Sequence, residues 1–309
     1  MRMTFLRALG AGLLLAAPLA AQAQAWPTPS IKIIVPFPPG GTTDQIARHV
    51  QPHLQQSTGA QILVENRAGA SGAIGALAAA KSAPDGGTFL LVFDTLKDLA
   101  PMMLIGKSPM VFTAHPSQPY KNFGELVAAA KARPDAVGYG TIGSGSLAHL
   151  YVTMLGKQGG FSLTHVPYKG GGPLVTDTLA GHVPVSIATV ALLAPHIKSG
   201  KARALAVTSP QRFPQLPDVP TVAEATGIKG LETESWWGLF TPTNTPAALV
   251  SRMNAEFAKA LRDPGVNEKL TAQGVVMSLS NPDELGRFIA SEVERWGKVV
   301  RENKITAGQ

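Results

Sequence analysis

Ser146 and His149 are a pair of residues whose types and spacing could support a reaction. They lie three positions apart in GSGSLAH, at a predicted helix start that places both on one face. A serine beside a histidine could act as nucleophile and base, with Asp44 or Asp177 as the orienting acid. The G-x-S-x-G turn of one large hydrolase class is missing from the sequence. A serine hydrolase that uses Ser146 and His149 is therefore kept as an alternative only.

Two further motifs could bind a metal or a cofactor. His49 and His53 are four residues apart on a predicted helix, a spacing that zinc sites use, but no H-E-x-x-H motif accompanies them. The segment GYGTIG (138–143) matches G-x-G-x-x-G, yet the acidic residue expected about 20 positions later is missing. We therefore predict no metal, no cofactor and no catalytic residue.

A more consistent signal is a turn of glycine and hydroxyl residues that occurs four times between a strand pattern and a helix pattern. The four turns are PFPPGGTTD (36–44), ENRAGASGAIG (65–75), GTIGSGSLAH (140–149) and PYKGGGPLVTD (167–177). In a parallel α/β sheet such turns lie at the carboxyl edge, where ligands bind. Helix starts offer unpaired N–H groups and a positive dipole end. The sequence therefore predicts a shared anion-binding cleft that needs no cationic side chain.

The elements that must position these turns alternate along the chain. Strand-like runs occur at 31–37, 60–66, 88–93, 110–114, 137–141, 162–168, 183–189, 202–208 and 235–240. Helix patterns lie between many of them, at 45–56, 74–82, 123–133 and 246–262. Continuous apolar strands that alternate with helices predict an α/β fold with parallel sheets covered on both faces.

Aromatic residues near the turns could add contacts to a ligand. Tyr168 precedes a glycine run and could stack on a ligand or hydrogen-bond to it. Trp236 and Trp237 point to opposite faces of their strand, so at most one faces the cleft. The last helix pattern begins at Asn281, with Glu284 at the spacing of a capping box. Its apolar stripe contains Trp296, for which we predict packing and no functional role.

The first 25 residues have the pattern of a secretory signal peptide. Arg2 and Arg7 precede an apolar run, and small residues at Ala23 and Ala25 suit cleavage. The sequence contains no cysteine, which excludes disulfides and thiolate metal sites. The formal net charge of +7 comes from scattered residues, which does not predict nucleic-acid binding.

In this order, the turns resemble the solute receptors of tripartite tricarboxylate transporters, also called the Bug family. The resemblance covers nearly all of the chain after residue 25. It rests on IIVPFPPGGTTD (33–44), VENRAGASGAIG (64–75), GTIGSGSLAH (140–149), THVPYKGGGPLVTDTLAGHV (164–183), PHIKSGKARALAVTSPQRFPQLPDVPTVAE (195–224), ESWWGLFTPTNTP (234–246) and ERWGKVVREN (294–303).

The resemblance implies a monomeric periplasmic binding protein of the two-domain Venus-flytrap, type II-like class, with the ligand cleft between the domains. Domain 1 would comprise 26–114 plus 238–309, and domain 2 would comprise 115–237. The ligand would be a small carboxylate, either an organic acid or an amino acid, delivered to the membrane subunits of a transporter. The implied ligand-binding residues are Phe37, Gly40, Gly41, Thr42, Thr43, Asn66, Ala70, Ser71, Ser144, Gly145, Ser146, Tyr168, Gly170, Gly171 and Thr189.

The chain departs from the family pattern in two places. The motif FDT occurs once, at 93–95 before LKDLAP, where the family usually has two copies and an intervening stretch near the pocket. Pro184 stands where an acid is common, which leaves Thr189 as the expected polar contact of that segment. The favoured function is an extracytoplasmic receptor, and a ligand sensor for a membrane signalling protein is a second alternative.

Overall fold

The structure is a computed structural model that describes residues 26–92 and 98–303. The predicted signal peptide and the single FDT motif lie outside the described residues. Within those two ranges, no helix combines the length and the apolar character that a membrane span requires.

Strands and helices alternate, as the sequence predicts for an α/β protein. The strands are β1 (Ser30–Val35), β2 (Gln61–Asn66), β3 (Thr88–Val92), β4 (Leu99–Ala114), β5 (Gly138–Thr141), β6 (Thr164–Pro167), β7 (Val185–Thr189), β8 (Arg203–Val207), β9 (Glu234–Pro242) and β10 (Val276–Met277). The helices are α1 (Thr42–Thr58), α2 (Ala73–Ala80), α3 (Phe123–Ala132), α4 (Leu147–Gly159), α5 (Gly171–Ala180), α6 (Val190–Lys198), α7 (Val222–Thr226), α8 (Ala247–Arg262), α9 (Pro264–Gln273) and α10 (Pro282–Asn303). A short 3-10 helix, Ala70–Gly72, precedes α2.

The strands form two sheets that share β4. In the first, β1 lies between β2 and β3 in parallel, while β9 pairs antiparallel with both β3 and β4. In the second, β5 lies between β6 and β7 in parallel, while β7 and β8 pair antiparallel with β4. The expectation of parallel sheets is thus correct around β1 and β5 and wrong around β4 and β9. We call each sheet with its helices the first lobe and the second lobe.

Strand β4 passes from one lobe to the other. Its residues from Leu99 to Pro109 pair with β9, and those from Met110 to Ala114 pair with β7 and β8. The sequence predicted a strand only at 110–114. Pro101 and Pro109 break the pattern of the earlier half, and the ladder there shifts register twice. The domain boundaries after residues 114 and 237 stay a prediction.

Strand β1 shows why the apolar runs become buried strands. Ile31, Ile33 and Val35 lie in the core that contains α1 residues, and Ile34 lies in the core on the opposite face, with α2 residues. Each is at most 1 % exposed. Full burial of one such side chain stabilises the fold by about 1.5–3 kcal/mol, which favours a strand covered on both faces.

Helix α10 touches both lobes. Its start has the predicted capping box, since the Glu284 N–H donates to Asn281 Oδ1 at 2.9 Å and the Asn281 N–H donates to Glu284 Oε2 at 3.0 Å. Leu285 packs in a first-lobe core, while Trp296 packs against a core of the second lobe. The helix therefore bridges the two lobes.

Candidate functional site

A cavity of about 420 Å³ lies between the lobes. Most of the predicted site residues line it, namely Phe37, Gly41, Thr42, Thr43, Ser144, Gly145, Ser146, Gly170, Gly171 and Thr189. Gly40, Asn66, Ala70 and Tyr168 are not among the lining residues, and Ser71 lies in the short 3-10 helix. The structure therefore brings three of the four predicted turns to one cleft.

Four helix starts meet at this cleft, those of α1, α4, α5 and α6. The residues before them are Gly41, Ser146, Gly170 and Thr189. Ser146 and Thr189 cap α4 and α6 with their hydroxyl oxygens, whereas α1 and α5 have no side-chain cap. Uncapped first-turn N–H groups and the positive dipole end favour an anion, and of the four starts those of α1 and α5 lack a side-chain cap.

The loop before α4 uses its amides within the protein. The Gly143 N–H donates to Thr141 Oγ1 at 3.2 Å, and the Gly145 N–H donates to His149 Nδ1 at 3.1 Å. The Ser146 N–H donates to the Gly143 carbonyl at 3.3 Å. These three N–H groups are therefore not free to bind a ligand, although the residues line the cleft.

Two stacked histidines support this loop from behind. The rings of His149 and His165 are 4.0 Å apart and nearly parallel, at 8°. Thr141 Oγ1 lies 2.7 Å from His165 Nε2. Burial, and secondly the neighbouring His149, lower the pKa of His165 to about 4, and burial lowers the pKa of His149. Both rings are therefore neutral at pH 7, and neutral His149 can accept the Gly145 N–H.

Asp44 fixes the turn that leads into α1. Its carboxylate accepts the Gly40 N–H at 3.1 Å, the Arg48 Nε at 3.0 Å and the Asn66 amide at 3.0 Å. Burial alone raises the pKa of Asp44, but the hydrogen bonds from Arg48, Gly40 and Asn66 outweigh it and lower the pKa below 3.8. Asp44 is thus ionised and internally paired, which leaves the first-turn amides of α1 at the cleft.

Two predicted site residues contact protein groups instead of the cleft. The Asn66 side chain donates to the Phe37 carbonyl at 3.0 Å and accepts from Arg48, so it holds the first turn in place. The Tyr168 hydroxyl donates to Asp177 at 2.8 Å. Both side chains support the turns on which they lie, and their direct contact with a ligand stays a prediction.

The turns of the two lobes touch each other at the cleft. Thr42 Oγ1 lies 3.4 Å from Thr189 Oγ1. A Cβ atom added to Gly171 would lie 3.4 Å from Gly41 Cα, and one added to Gly172 would lie 2.7 Å from the Pro39 carbonyl oxygen. Glycine therefore allows the two backbones to approach this closely.

The cleft also has an apolar wall that sequence reasoning missed in part. It comprises Met110, Ile142, Leu147, Leu150, Ile187, Leu192, Trp236, Trp237, Val293, Trp296 and Val300. Trp236 and Trp237 both border the cavity, while their side chains pack in cores on opposite faces of β9, as their alternation predicts. Trp296 packs as predicted, but it lines the cleft as well. In the sequence, Trp296 was noted only within the apolar stripe and the segment ERWGKVVREN. Its place at the cleft has no local signal, because the approach of α10 to the second lobe is a tertiary contact.

Comparisons with known proteins agree on one family. The family model described as the tripartite tricarboxylate transporter family receptor matches residues 46–305. Protein BugT of Bordetella pertussis is 37% identical over 93% of this chain and 93% of its own length.

Two solved structures that are similar to this chain contain a carboxylate ligand. R. palustris Rpa4515 with adipate is 32% identical, with a TM-score of 0.86, over 91% of this chain and 99% of that chain. MatC from Rhodopseudomonas palustris with bound malate is 28% identical, with a TM-score of 0.83, over 89% of this chain and 100% of that chain. With its α/β lobes, its cleft and these matches, the chain belongs to the tripartite tricarboxylate transporter receptor family.

Proposed function

We propose that this protein is a periplasmic receptor that binds a small carboxylate in the interlobe cleft and delivers it to a tripartite tricarboxylate-type transporter. The observation that carries the proposal is the meeting of uncapped α1 and α5 starts at one cavity between two lobes. Several N–H donors that converge on a carboxylate form strong, charge-assisted hydrogen bonds. The adipate and malate named for two relatives support the same ligand class for this chain.

The receptor acts by closing its lobes around the ligand and performs no chemistry. A carboxylate between α1 of the first lobe and α5 of the second contacts both only when the cleft is closed, so it favours that state. The domains would be 26–114 with 238–309, and 115–237. The pattern of residues 1–25 supports export to the periplasm, and the protein would act as a monomer.

The geometry at Ser146 favours binding over hydrolysis. Ser146 Oγ accepts the backbone N–H of His149 at 3.4 Å, which is an N-cap contact. His149 Nδ1 already accepts the Gly145 N–H, and its ring stacks on His165. A general base needs a nitrogen with a free lone pair. Because Nδ1 of neutral His149 accepts the Gly145 N–H, Nε2 carries the proton, and neither nitrogen can take a proton from Ser146.

A thermal-shift screen tests the proposal. The purified mature protein is melted with mono-, di- and tricarboxylates and with amino acids, and uncharged sugars serve as controls. A ligand at a hundredfold excess over its dissociation constant stabilises the folded state by about 2.7 kcal/mol, so at least one carboxylate should raise the melting temperature. A cooperatively folded protein that responds to no carboxylate would contradict the proposal.

A further inference from the structure

The cleft is lined mostly by apolar residues, with one carboxylate, Glu292, among the described lining residues. We propose that its ligand is a monocarboxylate with a bulky apolar body, in contrast to the dicarboxylates adipate and malate named for two relatives. This inference rests on the proposed function and narrows its ligand class.

The cleft has donors for one carboxylate. None of the described lining residues is lysine, arginine or histidine, so a carboxylate depends on helix starts. Of these, α1 and α5 are uncapped and adjacent, since Gly41 Cα lies near Gly171. At α4, the amides of Gly143, Gly145 and Ser146 are bound within the protein. The donors therefore suit one carboxylate, at α1 and α5.

The remaining wall of the cleft suits an apolar ligand body. Apart from the helix starts, most of the lining residues are aliphatic or aromatic, including the partly exposed Ile142, Leu147 and Trp296. The Trp296 indole N–H donates to Glu292 Oε2 at 3.1 Å, so this ring offers its apolar surface and not its donor. A second carboxylate against this wall would lose its hydration without a partner, which is strongly unfavourable. An apolar body would instead be stabilised by burial there.

Glu292 is the one charged side chain among the described lining residues. The side chain is 17% exposed. Its carboxylate accepts the Trp296 indole N–H and lies 3.9 Å from Arg295 Nη1. A ligand carboxylate that reached this part of the cleft would meet a like charge. Glu292 therefore discriminates against dicarboxylates.

A matched pair of ligands tests the inference by titration calorimetry. Hexanoate and adipate have the same six-carbon chain and differ in one carboxylate, while 3-phenylpropionate adds an aromatic body and malate represents short dicarboxylates. We expect hexanoate and 3-phenylpropionate to bind at least tenfold more tightly than adipate and malate. If adipate or malate binds more tightly than hexanoate, this inference is wrong and the proposed function stands. If the folded protein binds none of the four, this inference is wrong, and the proposed function fails only if the thermal-shift screen also finds no carboxylate that binds.

Substitution of Glu292 tests separately whether its charge disfavours dicarboxylates. Glu292→Gln removes the charge and keeps the shape, so adipate should gain about threefold in affinity relative to hexanoate. Glu294→Gln is the matched control, since Glu294 is an exposed carboxylate of the same helix outside the lining. Melting curves of both variants verify folding. An adipate-to-hexanoate ratio that is the same in both variants would overturn the role of Glu292.

Discussion

Thr42 of the first lobe and Thr189 of the second lobe face each other across the cleft, with their hydroxyl oxygens 3.4 Å apart. Each residue lies at a helix start, Thr42 as the first residue of α1 and Thr189 as the N-cap of α6. The contact therefore links lobe closure to the position of two helix starts.

The two threonines should differ in their effect on stability. Thr189 Oγ1 also accepts the Leu192 N–H at 3.2 Å, so Thr189→Val removes an N-cap as well as the interlobe contact. We expect a loss of about 1 kcal/mol in the free energy of unfolding for Thr189→Val and about half of that for Thr42→Val. Urea denaturation measures both. Thr189→Ser keeps the hydroxyl and should remain near wild type, and equal losses for the two valine variants would contradict the capping role.

Gly172 should be required for closure. In Gly172→Ala the new Cβ would lie 2.7 Å from the Pro39 carbonyl oxygen on the opposite lobe, so the closed state is strained and the open state is not. We expect carboxylate affinity to fall by about tenfold, since a contact of this kind costs the closed state about 1–2 kcal/mol. The unliganded melting temperature should change little, because alanine suits a helix better than glycine.

Gly286→Ala is the matched control for Gly172→Ala. Gly286 also lies in a helix, and a Cβ there would meet Pro101 at an ordinary 3.7 Å. Its affinity should equal that of wild type. If Gly172→Ala binds hexanoate as tightly as Gly286→Ala does, closure of the lobes does not bring residue 172 against the Pro39 carbonyl.

Asp44 should stabilise the first turn in a pH-dependent way. Because its folded-state pKa lies below 3.8, its contribution is present above that pH and is lost as pH falls through the folded pKa. Asp44→Asn should lower the free energy of unfolding by about 2 kcal/mol at pH 7. In urea denaturation, the difference in the free energy of unfolding between Asp44→Asn and wild type should be smaller at pH 3 than at pH 7. Asp218→Asn, at an exposed carboxylate, is the control. A free-energy difference between Asp44→Asn and wild type that stays constant with pH would contradict the lowered pKa of Asp44.

His165 should resist protonation. Its pKa of about 4 lies below the ordinary 6.5, so the unfolded chain takes up a proton first and stability falls as pH drops from 6.5 toward 4. NMR titration of the imidazole measures the pKa directly. In His165→Gln the melting temperature should fall less between pH 7 and pH 5 than in wild type. A His165 pKa near 6.5 would contradict the buried, stacked arrangement.

The sequence predicted the parts of the fold that local pattern determines. The strand before each glycine turn, the helix after it and the capping box of Asn281 and Glu284 follow from composition and spacing. The first half of β4 could not be predicted, because Pro101 and Pro109 resemble strand breakers. Its pairing with β9, which lies far along the chain, is what holds it extended.

The candidate site was predictable to a similar degree. The turns that line the cleft carry a local signal, since glycine and hydroxyl residues precede helices. The partners of Asn66 and Tyr168 carry none, because Asp44 and Asp177 reach them only in the folded chain. The same holds for Trp296, which reaches the cleft because α10 crosses between the lobes.

We propose that helix starts, without a cationic side chain, bind a carboxylate in the interlobe cleft. Titration calorimetry with hexanoate and with hexanamide isolates this effect, since the two differ only in the charged group. Hexanoate should bind at least tenfold more tightly than hexanamide, because charge-assisted hydrogen bonds are about twice as strong as neutral ones. Equal affinities for the two compounds, or a folded protein that binds neither hexanoate nor any carboxylate of the thermal-shift screen, would contradict it.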